Sequence, residues 1–500
     1  MIVETTTGPV RGSTDAEGIS AFLSVPYAAP ITLANRFAAP QPVTPWTAPR
    51  EATRLGPVCP QVPTYGPVGH GAASALAMGE DFLTLNIRTP DVTGRAPVLV
   101  WVHGGGYAVG SANEAVQQSG GFAATGVVEV TINYRLGAMG FLSVPGCPEN
   151  RGLLDQIAAL RWVQENIAAF GGDPAQVTFA GRSAGGFSIA AVMAMPASHG
   201  LYARAMPQSG ASTGLASPAD AAKLTARMCA YLGCDAEGLK SVPLERLLIA
   251  QRDLCNESYE RHDFARDGTA TMLGVPFVPV IDGESLPEHP EVAAAAGRVA
   301  QVPMMIGCTT AEYLTHSTAL PEGTFDYGDA ARLLHERCLP LGRSGAEMVA
   351  LYREALPEHD ARGIWRAVAG DLVFQNPATR FALAHAAHQP VLKYLYGTIG
   401  PDETGHAHGA EVGPLWYRPG MDQSVLPERR RIDDPAHAAA VHETWRGFIA
   451  GTPDPRWPLY TAGDDRLLHL DPARGAEIAI RRDPFAARPG LWNAPIAPAV

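Results

Sequence analysis

Three short stretches carry residue types whose spacing can do acyl-transfer chemistry. The first is Gly181-Arg182-Ser183-Ala184-Gly185, a serine with a glycine two residues away on either side. When a strand runs into such a stretch and a helix runs out, the turn is sharp enough to hold the serine in a strained conformation with its hydroxyl exposed. Side chains two residues before and after would collide there, and glycine removes the collision. Residues 176–179 (QVTF) suit the incoming strand and residues 185–195 (GGFSIAAVMAM) suit the outgoing helix. Ser183 is therefore the expected nucleophile, facing the free N–H groups and the positive dipole end of the helix that follows. The bland alternative is a tight strand–helix turn with a bystander serine.

The second stretch is His103-Gly104-Gly105-Gly106, which follows the apolar run VLVWV. Attack on an ester carbonyl creates an oxyanion, and main-chain N–H groups held in place stabilise it by about 3 kcal/mol per donor. Glycines let the backbone approach the substrate unobstructed. An H-G-G-G run upstream of a nucleophile turn is an esterase and lipase pattern. The expected donors are the N–H groups of Gly105, Gly106 and Ala184. The third stretch is residues 405–412 (GHAHGAEV), which offers His406 and His408 as bases. In the chain order of this architecture the acid and then the histidine follow the serine.

These groups need a rigid frame. Residues 98–103, 127–134, 177–180, 302–306 and 391–396 are short apolar runs of the kind that form central strands buried on both faces. Residues 150–170 read as a helix, with Leu153, Ile157, Leu160 and Ile167 on one stripe and GGDP as the stop. Strand and helix alternate, which predicts an α/β fold with a mostly parallel, doubly wound sheet. Residues 217–300 and 326–385 are helical in pattern and read as insertions walling a pocket within one domain spanning 1–500.

Composition narrows the function classes. The 500 residues are 46% hydrophobic, with a formal net charge of −12. No basic run could track a phosphate backbone, so nucleic acid is not an expected partner. The start, MIVETTTGPVRG, lacks a basic and apolar leader, and no run is long enough to span a membrane, so the expected location is cytoplasmic. The seven cysteines match neither a zinc nor a redox spacing, and no metal or cofactor is expected. Cys229 and Cys234 could pair, but buried reduced thiols are the simpler expectation.

With these motifs in order, the chain resembles the type-B carboxylesterase family, the α/β-hydrolase branch that includes bacterial carboxylesterases, cholinesterases and neuroligins. The matching segments include FLSVPYAAP, RFAAPQP, GEDFLTLNI, PVLVWVHGGGYAVGS, NRGLLDQIAALRWVQENIAAFGGDP, VTFAGRSAGG, MPQSGAS, GCTTAEY and HAHGAEV. The resemblance implies one catalytic domain with a deep gorge and a Ser–Glu–His triad. Its histidine precedes Gly-x-Glu, which favours His408 over His406. Its acid pattern, Gly-x-Thr-x-x-Glu, falls on Gly307, Thr309 and Glu312, with Asp282 as the rival. Ser209 matches a second serine beside the acid, or is a plain residue after a strand. The resemblance also implies ion pairs Arg36–Glu80 and Arg135–Asp173.

The sequence departs from the family in three places. Arg182 stands where a glutamate usually precedes the nucleophile. It either pairs with Glu411 or receives an anionic group of the substrate, since a guanidinium fork suits a carboxylate. Phe82 stands where extracellular members carry a disulfide cysteine, and PYAAPITLANRF lacks the usual Pro-x-Gly. The expected function is hydrolysis of a small-molecule ester by a monomer or homodimer, with amides, carbamates and thioesters reachable by the same groups. A neuroligin-like binding protein and an interfacial lipase are the alternatives.

Overall fold

The computed structural model describes residues 1–63, 76–314, 320–400, 405–426 and 430–492. In chain order the strands are β1 (Ile2–Thr5), β2 (Gly8–Arg11), β3 (Ser13–Thr14), β4 (Ser20–Pro26), β5 (Arg50–Glu51), β6 (Thr84–Thr89) and β7 (Ala96–Val102). They continue as β8 (Val128–Ile132), β9 (Gly172–Arg182), β10 (Arg204–Gln208), β11 (Met304–Thr309), β12 (Val391–Tyr396), β13 (Arg466–Leu470) and β14 (Ile478–Arg482). Eleven of them form one sheet in the order β14-β13-β12-β11-β10-β9-β7-β8-β6-β4-β3, and β1, β2 and β5 form a small separate sheet. From β8 to β13 every neighbouring pair is parallel, and the outer pairs are antiparallel.

Side-chain alternation explains why the centre of the sheet reads as unbroken apolar runs. Along β7, Val98, Val100 and Val102 enter one hydrophobic cluster, while Leu99 and Trp101 enter the cluster on the other face. Both faces are covered, so no polar position interrupts the run. Helix Arg151–Asn166 buries Leu153, Ile157, Leu160 and Val163, continues as the 3₁₀ turn Ile167–Phe170, and stops at Gly171 with φ 76°. The five strands expected from sequence are present. The antiparallel strand Thr84–Thr89 (TLNIRT) does not read as an apolar run because polar residues interleave with apolar ones.

The two helical stretches are present as helices Pro218–Leu232, Leu244–Glu260 and Pro290–Ala295, then Tyr327–Cys338, Gly345–Ala355, Ala361–Gly370 and Asn376–Ala386. The last helix of each stretch returns to the body: Asn376–Ala386 packs on β11 and β12 and against Pro290–Ala295. No helix among the described residues is long and apolar enough to cross a membrane. All seven cysteines are free thiols, so Cys229 and Cys234 are not bridged.

Two expected ion pairs are corrected. Arg135 does not meet Asp173. Its Nη2 and Nε bind the two oxygens of Asp155 at 2.6 and 2.8 Å, with both side chains fully buried. Asp173 sits at the start of β9 and pairs with the exposed Arg95 instead. Arg36 donates to the carbonyls of Leu239 and Lys240, while Glu80 lies exposed. The helix at 151–166 presents Asp155 inward beneath Arg135, whereas Asp173 lies beyond the far end of that helix.

Removing one partner of a buried ion pair strands the other charge. Asp155→Ala is expected to destabilise the protein by about 3–5 kcal/mol in urea unfolding. Asp173→Ala, at a partly exposed pair, is expected to cost under about 1 kcal/mol.

Candidate functional site

Five loops leave the carboxyl ends of β7, β9, β10, β11 and β12, the edge where open α/β sheets bind ligands. They carry the oxyanion glycines, Ser183, Ser209, Glu312 and His408. Ser183 joins β9 to helix Ala184–Met193 with φ 59° and ψ −123°. That backbone is strained for a residue with a side chain, and it is held on both sides. The Ser183 N–H donates to the carbonyl of Gln208, and the Ser183 carbonyl accepts from Phe187. A Cβ on Gly185 would lie 2.2 Å from the carbonyl oxygen of Val102, so only glycine lets this helix approach β7 so closely.

The oxyanion loop shows the same constraint. Gly105 has φ 119°, and a Cβ there would lie 1.9 Å from the Val109 carbonyl oxygen. Among the described residues the N–H groups of Gly105 and Gly106 have no backbone acceptor, and that of Ala184 is the first in its helix. His103 anchors the loop: its ring stacks on Tyr134 at 4.6 Å, and the Tyr134 hydroxyl donates to the His103 carbonyl.

The expected acid, Glu312, and the expected base, His408, are joined by a hydrogen bond. Glu312 is 2% exposed. Its Oε2 meets His408 Nδ1 at 2.5 Å. Its Oε1 accepts from the Ser209 hydroxyl and the Thr309 N–H, both at 2.7 Å. Burial pushes this carboxyl up, but His408, Ser209 and Thr309 together outweigh it and hold the group below its ordinary value. His408 is held below the ordinary imidazole value, chiefly by burial, with Arg182 and Arg430 adding and Glu312 opposing. With Nδ1–H given to Glu312, Nε2 is left as the acceptor; it is buried and has no hydrogen-bond partner among the described residues. Phe374 lies against the His408 ring at 4.7 Å. It stands on a π-helical turn, Asp371–Gln375, from which Gln375 also donates to the Thr309 carbonyl.

The rivals are elsewhere. His406 ties its loop to the loop after β11: its N–H donates to the Thr310 hydroxyl, and its Nδ1 accepts from the Thr398 N–H. Asp282 accepts from the N–H groups of Glu284 and Leu286 and from the Ser285 hydroxyl, within its own turn.

Arg182 and Glu411, expected as an ion pair in one reading, make no hydrogen bond to each other, although the charge of Arg182 acts on the Glu411 carboxyl. Both Glu411 carboxylate oxygens are buried, without a hydrogen-bond partner among the described residues. Burial pushes that carboxyl up to about 7, against the opposing charge of Arg182. The Arg182 guanidinium packs against Gly409 and Gly104, 2.8 and 3.4 Å from where their Cβ atoms would stand. Sequence reasoning did not reveal Glu114, which binds Arg430 at 3.1 Å behind this cluster, nor Phe374. Neither lies in a spacing motif, and only the folded chain brings them close.

The chain matches the model of the carboxylesterase family over residues 1–487. It is 33% identical to a para-nitrobenzyl esterase of Bacillus subtilis, over 97% of this chain and 96% of that one. It is 32% identical to a phenmedipham hydrolase of Pseudarthrobacter oxydans, over 96% of each. Among solved structures, a carboxylesterase of Geobacillus stearothermophilus superposes with a TM-score of 0.81 at 31% identity, covering 98% of this chain and all of that one.

An imidazole acts as a base only when neutral, so a lowered value extends activity to lower pH. The acid limb of kcat/KM for p-nitrophenyl acetate is expected below about 6.5, the ordinary imidazole value. A limb above that value would contradict the environment described for His408.

Proposed function

The chain belongs to the carboxylesterase family and is a carboxylic ester hydrolase, and from that premise we propose that Ser183 is its nucleophile, His408 its general base and acid, and Glu312 the group that orients His408. Ser183 Oγ attacks the ester carbonyl carbon as its proton passes to His408 Nε2. The N–H groups of Gly105, Gly106 and Ala184 hold the oxyanion. Collapse expels the alcohol, which takes the proton from His408 and leaves an acyl-serine. Water then gives a proton to His408 and attacks the acyl carbon, and Ser183 leaves with that proton as the acid departs. Glu312 remains ionised and stabilises the imidazolium formed in each half.

The single observation that supports this most is the relay from Ser209 through Glu312 to His408, ending at an Nε2 without a partner. Ser209 acts through Glu312 and is a positioning residue. The helices of 217–300 and 326–385 wall the approach to Ser183 in a single catalytic unit. Seven free thiols support a reducing, cytoplasmic setting. The enzyme acts as a monomer or homodimer.

A second reading concerns substrate charge. The Arg182 guanidinium packs against Gly104 of the oxyanion loop, which favours esters carrying an anionic group.

A panel of p-nitrophenyl esters of varied acyl length and charge tests both readings. Ser183→Ala and His408→Ala are expected to lower kcat by about 10⁶-fold and Glu312→Gln by about 10⁴-fold. Retained activity in Ser183→Ala overturns the mechanism. Arg182→Glu is expected to reduce the preference for acidic over neutral esters, and an unchanged ratio removes the anionic-substrate reading.

A further inference from the structure

We propose that Arg182 is a positioning residue for the general base: its cation, buried between the oxyanion loop and the His408 loop, sets the pH at which His408 becomes competent. The placement carries the proposal. Arg182 is the last residue of β9, adjoins Ser183, and is 9% exposed. Its guanidinium packs on Gly409, the residue after His408, and reaches Gly104 on the other side. The lack of a side chain at both positions leaves the room it occupies.

A fixed positive charge at that place opposes a second one. Protonation of His408 in the free enzyme puts an imidazolium beside the guanidinium, and in a desolvated site that repulsion is weakly screened. Glu312 faces His408 from the loop after β11 and favours the imidazolium. Arg430, ahead of the C-terminal helix Pro435–Ile449, opposes it. Arg430 also donates to Glu114, so the pair partly cancels at a distance. Among the described residues Glu411 has no hydrogen-bond partner on either oxygen, and His103 is held below the ordinary imidazole value by burial. Arg182 is thus the cation placed to act on His408 from the nucleophile's own strand. A carboxylate at position 182 would act with the opposite sign.

The proposal rests on His408 being the base. His408→Ala, inactive at every pH if that reading holds, separates failure of the base assignment from failure of this inference. The test is the pH profile of kcat/KM for p-nitrophenyl acetate, a neutral ester that removes any effect of substrate charge. Arg182→Gln is expected to move the acid limb upward by about one pH unit. Arg182→Lys, which keeps the charge, is expected to overlay the wild-type limb. Arg430→Gln removes the other cation acting on His408 and is expected to move the limb in the same direction; it serves as the test where Arg182→Gln does not fold. An unmoved or lowered limb in a folded Arg182→Gln protein overturns the proposal. So does a Lys variant that shifts as the Gln variant does, since packing rather than charge would then be at work. With Arg182→Gln unfolded, an unmoved limb in Arg430→Gln overturns it as well.

Discussion

A carboxyl group that is 2% exposed just past a parallel strand stays ionised only when its oxygens are occupied, and Glu312 is such a group. Ser209 and Thr309 bind one oxygen and His408 binds the other. Each partner comes from a different part of the frame. Ser209 follows β10, Thr309 ends β11, and His408 lies in the loop after β12. Register between adjacent parallel strands therefore decides whether the buried charge is tolerated at all. The pairing of Gln208 with Gly307 and of Thr309 with Tyr396 fixes that register. The arrangement that makes the buried carboxylate tolerable also aims the imidazole, so stability and chemistry depend on the same contacts.

The other half of the site depends on close backbone approach. Ser183 holds a positive φ because Gln208 and Phe187 bind its peptide on both sides, and because glycine at 185 lets the elbow helix meet β7. Strain at such a position persists where the surroundings over-determine it. The oxyanion loop leaves β7 one residue beyond that meeting point, so donor groups and nucleophile are referenced to the same strand. Further from the chemistry, the fully buried Arg135–Asp155 pair ties the segment after β8 to helix Arg151–Asn166 beneath the loop.

Much of this was legible in the sequence because it is local. Strands buried on both faces show themselves as apolar runs, and the elbow and oxyanion motifs need glycine at fixed offsets. The roles proposed for Ser183, Gly105 and Gly106 therefore come from the chain itself. Glu312, His408 and Ser209 needed the family pattern, since nothing local separates His408 from His406 or Glu312 from Asp282. Partners chosen by three-dimensional packing were not legible. Asp155 displaced Asp173 as the partner of Arg135 because helix phase turns it inward. Arg36 found backbone carbonyls rather than Glu80. Phe374 reaches His408 only through a π-helical turn, a feature without a sequence signature.

The central claim is that one serine, in the setting of Glu312 and His408, is the activated nucleophile. Inactivation with a fluorophosphonate followed by peptide mass spectrometry addresses it most directly, because that reagent phosphonylates a serine only where an adjacent base and oxyanion donors activate it. The account predicts one adduct, on the peptide bearing Ser183, formed in the wild type and absent in His408→Ala. Labelling of a different serine, or full labelling of Ser183 without His408, would contradict it.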